Sequence, residues 1–276
     1  MMDLRDPQDR RLISLVIPVF NEEDGIDQLR ERLGPVRAMW RKTADVEFVF
    51  VDDGSSDNTR HALRRVFGAD ALSQIAVHEV NRGIGAAMRT GFARSRGSIV
   101  CTIDADCSYG PENLQRLTVA LDEQAADIAV ASPYHPQGTV EGVPYWRLVL
   151  SKSCSAFYRV VAPVRLHTYT SVFRAYRRSV VEAVVFQEDG FVSATEVLIR
   201  AAEQGYRITE VPMTLHARKI GRTKMKILRT IRGHLRLIST TSVRRIESAL
   251  KIGSSVATPE RRPEPSQVSQ VSDLRR

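Results

Sequence analysis

Cysteine is scarce in this 276-residue chain. Cys101, Cys107 and Cys154 form no CxxC pair, and their odd number offers no disulfide framework. A reducing, cytoplasmic setting is the simplest expectation. Long apolar runs are missing as well: no stretch of roughly 18 apolar residues occurs, so no membrane-spanning helix is expected. Met1–Arg11 is polar and charged and lacks the apolar centre of a secretory leader. The six histidines show no HxxxH spacing, which argues against zinc. Glycine is absent from Leu12–Asn21, which argues against an N-terminal glycine-rich phosphate loop. There is no internal repeat.

Acidic residues are nearly absent from one segment. Between Met213 and Lys251 lie eleven of the 40 Lys and Arg residues but one of the 32 acids, Glu247. The rest of the chain is therefore two charges negative, and the net charge of +8 belongs to this segment. At helical spacing Ile227, Leu228, Ile231, Leu235 and Ile238 share one face, with Lys226, Arg229, Arg232 and Arg236 opposite. That pattern suits an anionic membrane surface. It equally suits a helix packed on its own domain with a solvated basic side. Nucleic acid is not expected as a partner, because no interleaved aromatics accompany the charge.

What is present is an alternation of strand and helix signals. Apolar, β-branched runs occupy Leu12–Phe20, Val46–Val51, Ile75–Val80, Ile99–Ile103 and Ile128–Ser132, separated by amphipathic segments. This rhythm predicts an α/β fold with a mostly parallel sheet and right-handed crossovers. After Pro133 the spacing predicts helices over 145–161 and 192–204, strands over 171–176 and 206–211, and a long helix over 224–250. Asp57 or Ser56 is the expected cap of the helix after the second strand. The expected organisation is a flexible 1–11, a domain over 12–226, a basic amphipathic helix over 227–252 and a disordered tail over 253–276.

Four polar clusters end predicted strands: Asn21-Glu22, Asp52-Asp53, Asn81-Arg82-Gly83, and Asp104-Ala105-Asp106. A parallel sheet places all four on one edge, where open α/β sheets bind ligands. Asp104 and Asp106 are hard oxygen donors one residue apart, suited to Mg²⁺ or Mn²⁺ and to a phosphate ligand of that ion. Solvated turn aspartates would look the same in isolation. The convergence of four clusters points to a nucleotide pocket.

These motifs, together with Phe173-Arg174-Ala175-Tyr176-Arg177-Arg178 and Arg218-Lys219-Ile220-Gly221-Arg222-Thr223-Lys224, resemble the family 2 glycosyltransferases of GT-A fold. The resemblance runs from about Ser14 to Lys226 and is strongest toward dolichol- or polyprenyl-phosphate sugar transferases. It implies that Pro18, Phe20, Glu22, Val51, Asp53, Asp104 and Ala105 bind a nucleotide sugar. Asp104, Asp106 and Ser108 would hold the metal. Arg218 and Lys224 would neutralise donor and acceptor phosphates, and the family inverts. A polyprenyl phosphate attacks as an anion and needs no base. A hydroxyl acceptor would need one, with Glu196 or Asp189 as candidates. A non-catalytic nucleotide-sugar-binding subunit is the reading from another class.

The chain departs from the family pattern at two places. Ala131-Ser132-Pro133-Tyr134-His135 has proline where many lipid-phosphate transferases carry arginine, leaving His135 as a substitute phosphate contact or a plain loop residue. Thr168–Arg174 lacks the acid usual there, and Arg174 reads as a structural anchor for the strand after Tyr169-Thr170 or as a family motif residue.

Overall fold

The computed structural model describes residues 11–217 and 227–255. Arg218, Lys224 and the expected tail beyond Ser255 lie outside the described residues. Nine strands and eight helices are found among the described residues, and seven of the strands form one sheet ordered β3-β2-β1-β4-β7-β5-β8. The strands are β1 (Arg11–Val19), β2 (Ala44–Asp52), β3 (Ser73–Val77), β4 (Ile99–Thr102), β5 (Ile128–Ser132), β7 (Arg174–Arg177) and β8 (Ile208–Pro212). All neighbours run parallel except β7, which lies antiparallel between β4 and β5.

The central strands are rich in apolar residues pointing to both sides because both faces are covered. On one face, Ile13, Leu15 and Ile17 of β1 meet α1 (Ile26–Trp40), α2 (Thr59–Phe67) and α4 (Leu114–Glu123) through Leu29, Leu33, Leu63, Leu117 and Leu121. On the other, Val16, Val49 and Val100 meet α3 (Ile84–Arg94), α5 (Tyr145–Val161) and α7 (Ser193–Glu203) through Met88, Phe92, Tyr158 and Leu198. The short α6 (Arg178–Ala183) follows β7 directly.

A second, two-stranded sheet pairs β6 (Thr139–Glu141) with β9 (Thr214–His216). Three-residue strands carry too little alternation to be read from sequence. The antiparallel setting of β7 was equally invisible, since local pattern reports strand identity and not direction.

The last helix, α8 (Ile227–Ser255), does two things at once. Leu237 and Thr241 are buried against the domain, and Gly233 packs against Val192. Leu228, Leu235, Val243 and Ile246 stay exposed. The expected face is thus split: Leu228 and Leu235 lie off the domain, while Ile238 packs against the core beside Leu237, on which the docked face centres. No described helix is long and apolar enough to cross a membrane.

Candidate active site

The carboxyl ends of β1, β2 and β4 meet on one edge, and their loops are stitched to each other. The turn after β1 places Asn21 at φ 51°, and its backbone N–H donates to Ser55 Oγ at 2.9 Å. Asn21 Oδ1 accepts the Ser56 N–H at 2.8 Å, and the Glu22 N–H donates to Thr59 Oγ1 at 2.7 Å. Asp57 caps α2 from one position earlier than the N-cap residue, Asn58: its Oδ1 accepts the Thr59 N–H, the first of the helix, at 3.0 Å. Pro18, Phe20 and Glu22 are half-buried along this turn.

Asp53 organises the next loop. Its Oδ1 meets His78 Nδ1 at 2.7 Å and accepts the Arg82 N–H at 3.0 Å; its Oδ2 accepts the Gly83 N–H at 2.7 Å and Asn81 Nδ2 at 2.9 Å. Four partners occupy a carboxylate only 4 % exposed. Asp53 is therefore the internal fastener of the loop entering α3, where a donor contact was expected. His78, which also reaches Thr90 Oγ1 at 2.9 Å, was not singled out in the sequence. Its position directly after β3 was the available signal. Val51 is wholly buried against Ala76 and Ala87 and offers no surface for a ligand, a second correction.

Gly54 (φ 68°) and Gly83 (φ 102°) mark where these loops turn. A Cβ on Gly83 would lie 2.3 Å from the Asp189 carbonyl oxygen, so glycine is required on both counts.

Asp104, Ala105, Asp106 and Ser108 form the turn after β4, all half-buried. The Cys107 N–H closes the turn on the Asp104 carbonyl at 3.0 Å, with Cys107 at φ 49°. Asp106 Oδ1 accepts both the N–H and the hydroxyl of Ser108, at 2.9 and 2.8 Å. A hydroxyl whose proton is donated this way keeps its lone pairs available to a cation. Two carboxylates and a hydroxyl on one turn are a hard oxygen set that fits Mg²⁺ or Mn²⁺. Among the described residues no cluster of three His, Cys, Asp or Glu is placed to hold a metal. The His216 N–H donates to the Ser108 carbonyl at 3.0 Å and the Ala217 N–H to Glu141 at 2.8 Å. The β6–β9 pair thus delivers the chain to the Asp-x-Asp turn just before Arg218.

The other expected residues are placed as follows. Glu196 is 3 % exposed at its side chain. Its Oε2 accepts the N–H groups of Gln187 and Glu188 at 3.0 and 2.8 Å, and its Oε1 pairs with Arg200 at 2.7 Å. The loop it holds rests on the start of α3: the Gly85 N–H donates to the Asp189 carbonyl at 2.6 Å, and Arg89 pairs with the Asp189 carboxylate. Burial, and then the neighbouring Glu196, raise the Glu188 carboxyl above its usual range. Arg174 is fully buried and donates to the carbonyls of Ala194 and Tyr169, which makes it a structural anchor between β7 and α7. His135 packs edge-on against His167, whose Nδ1 lies 2.8 Å from Glu210.

The sequence profile described as Glycosyl transferase family 2 matches residues 14–185, more than half the chain. The chain is a family 2 glycosyltransferase. It is 34 % identical over 226 residues to the polyprenol monophosphomannose synthase of Mycolicibacterium smegmatis, covering 79 % of this chain and 82 % of that one. It is 30 % identical to the dodecaprenyl-phosphate galacturonate synthase of Rhizobium johnstonii over 238 residues, 85 % of this chain and 68 % of that one. Among solved structures, glucosyl-3-phosphoglycerate synthase from Mycobacterium tuberculosis, crystallised with Mn²⁺, UDP and its product, superposes with a TM-score of 0.62. At 19 % identity, with 85 % of this chain and 80 % of that chain covered, this likeness concerns the fold. This glycosyltransferase therefore has the α/β architecture that its strand rhythm implied and the GT-A-like fold that the family resemblance implied.

Proposed function

We propose that this glycosyltransferase moves a hexose from GDP-mannose or a UDP-hexose to a polyprenyl or dolichyl phosphate, with inversion and with Mg²⁺ or Mn²⁺ as cofactor. The observation that carries this reading is the oxygen set of Asp104, Asp106 and Ser108 at the edge where three strand-end loops converge. The names of the relatives add the acceptor class, and their differing sugars leave the donor hexose open.

The residues divide the work by position. Pro18, Phe20 and Glu22 hold the base and ribose from the turn after β1. Asp104, with the Ala105 backbone, holds the ribose side of the Asp-x-Asp turn. Asp104, Asp106 and Ser108 would hold the cation, which supplies charge to stabilise the departing nucleoside diphosphate. Arg218 and Lys224 neutralise the donor and acceptor phosphates. The acceptor phosphate is an anion at neutral pH, so its oxygen attacks without a general base. Glu196 accordingly serves as a positioning residue for the 187–189 loop. The enzyme works as a peripheral protein on the inner face of the membrane, held in part by the basic side of α8.

The test is an extraction assay. Purified protein, Mg²⁺ or Mn²⁺, a panel of labelled nucleotide sugars and a short polyprenyl phosphate in detergent are incubated, and label in the organic phase is counted. Label from one donor, lost in Asp106→Ala, is the expected result. An empty organic phase with every donor overturns the acceptor assignment.

A further inference from the structure

Three of the four groups that the Asp53 carboxylate meets belong to the loop it fastens and move whenever that loop moves: the Arg82 N–H, the Gly83 N–H and the Asn81 amide. His78 is the exception. Its own N–H donates to the Asp52 carbonyl at 2.9 Å, which extends the β2–β3 ladder by one residue. Its ring stands between two elements, with Nδ1 2.7 Å from Asp53 Oδ1 and Nε2 2.9 Å from the Thr90 hydroxyl in the middle of α3. The side chain is 7 % exposed, buried among these partners and out of a ligand's reach. Asp53 Oδ1 also accepts the Arg82 N–H, so Nδ1 is assigned the proton of the shared bond. The Thr90 hydroxyl can donate or accept, and so suits Nε2.

The segment that carries Asp53 is tied on its other side to the turn after β1. The Asp53 N–H donates to the Val19 carbonyl at 2.9 Å, one residue before Phe20. Ser55 Oγ accepts the Asn21 N–H, and the Ser56 N–H returns to Asn21 Oδ1. Asn21 keeps φ 51°, a left-handed setting that a residue with a Cβ holds where its surroundings impose it. Pro18, Phe20 and Glu22 therefore stand on a turn whose shape depends on where the 53–56 loop sits.

Gly54 lies between the Asp53 carboxylate and those serines, and a Cβ on it would come within 2.2 Å of the Val80 carbonyl carbon. The 53–56 loop is thus pressed against the β3–α3 connection. The last torsion of an aspartate is broad and roughly two-fold, so its loop donors alone would let the carboxylate turn with them. An imidazole held at both nitrogens, one by a strand-end carboxylate and the other by a helix, sets a single orientation.

We infer that His78 is a positioning residue for the nucleotide donor: through the Asp53 carboxylate it fixes the loop that shapes the 18–22 turn, and it touches no part of the donor itself. This inference rests on the nucleotide-sugar reading of that turn, and its test separates the two.

Two amide substitutions divide the work of the ring, since an asparagine amide reaches about as far as Nδ1 and a glutamine amide about as far as Nε2. His78→Asn keeps a donor on Asp53, and its Kd for GDP or UDP with Mn²⁺, read by calorimetry on the full chain, is expected within about twofold of wild type. His78→Gln keeps a partner for Thr90 but leaves Asp53 Oδ1 with the Arg82 N–H alone. Its Kd for the nucleoside diphosphate and its donor KM are expected to rise about tenfold, with kcat within about twofold. Urea denaturation of the same variants separates lost stability from lost binding. Thr90→Val frees the ring at Nε2, is expected to raise the Kd in the same direction, and serves as the test where His78→Gln does not fold. An unchanged Kd in folded His78→Gln, or in Thr90→Val where it takes that place, would show a merely structural histidine and overturn the inference. Equal losses of affinity in the Asn and Gln variants would do the same. In either case nucleotide binding by the wild type leaves the donor reading standing. Wild-type protein that binds neither GDP nor UDP would overturn the donor reading of the turn, and this inference with it.

Discussion

Asp53 and Asp106 are both strand-end aspartates, and their surroundings give them opposite duties. Replacing Asp53 by Ala strands four donors in a nearly closed site. The expected cost is roughly 3 kcal/mol or more, since each hydrogen bond to a buried charge is worth about 1.5–3 kcal/mol and the four are not additive. Urea denaturation would measure it. Asp106→Ala is expected to change stability by about 1 kcal/mol or less, since its turn is half-buried and water can reach the groups it leaves. Transfer should fall by at least ~100-fold, the scale of losing a preorganised electrostatic group. Equal losses of stability in both variants would show that the Asp106 turn is a structural feature. The sequence marked both residues as polar ends of apolar runs. Which of them faces a ligand depends on His78 and Asn81, 25 and 28 positions further on, so it could not be read locally. Glu196 shows the same limit: the family resemblance placed it near an acceptor, and only the returning 187–189 loop shows what it holds in this structure.

Among the elements, α3 and α8 are the ones whose packing decides something. A Cβ on Gly91 of α3 would come within 2.2 Å of Val16 Cγ1, so α3 lies directly on β1 behind the active edge. Gly91→Ala gains about 1 kcal/mol in helix propensity. Overpacking a β1 valine costs about 1–3 kcal/mol. A net loss in the melting temperature is expected, relieved in the double variant with Val16→Ala; a stabilised single variant would show that α3 can move off the sheet. The α5–α8 junction, where Tyr158 Oη lies 3.0 Å from His234 Nδ1, is expected to respond to pH. Burial pushes His234 down to about 4 from 6.5, so the fold holds the neutral ring. That contribution is fully present above pH 6.5 and is lost as pH falls toward 4, by the order of 2 kcal/mol between pH 7 and 5. His234→Gln should flatten this part of the stability profile, and an unchanged slope would place the acid sensitivity elsewhere. The parallel strands were legible because β-branched runs buried on both faces admit few alternatives. The pairing of β6 with β9 was not, because it is made by backbone partners 75 residues apart in segments of three residues.

For the molecule as a whole, the proposed donor site predicts coupled ligand binding. A nucleoside diphosphate held through a cation stabilises the native state only when both are present. At a hundredfold excess over Kd the gain is about 2.7 kcal/mol, or about 5–10 °C in melting temperature for a domain of this size. Removal of the cation with a chelator should erase the shift, and a shift from the nucleotide alone would separate the base pocket from the Asp-x-Asp turn. The setting of β7 has a different consequence, for the chain as it leaves the ribosome. The partner that covers β4 begins at Arg174, well after β5 has been made, so a nascent chain ending before that strand holds β4 as an open edge. Cys101 lies on β4 opposite Ala175 and is fully buried in the finished protein. In chains with Cys107 and Cys154 replaced by serine, stalled short of Arg174, its thiol should react with a maleimide, and once β7 and its covering helices are out it should fall silent. Synthesis therefore passes through an interval in which the centre of the sheet is its most vulnerable strand.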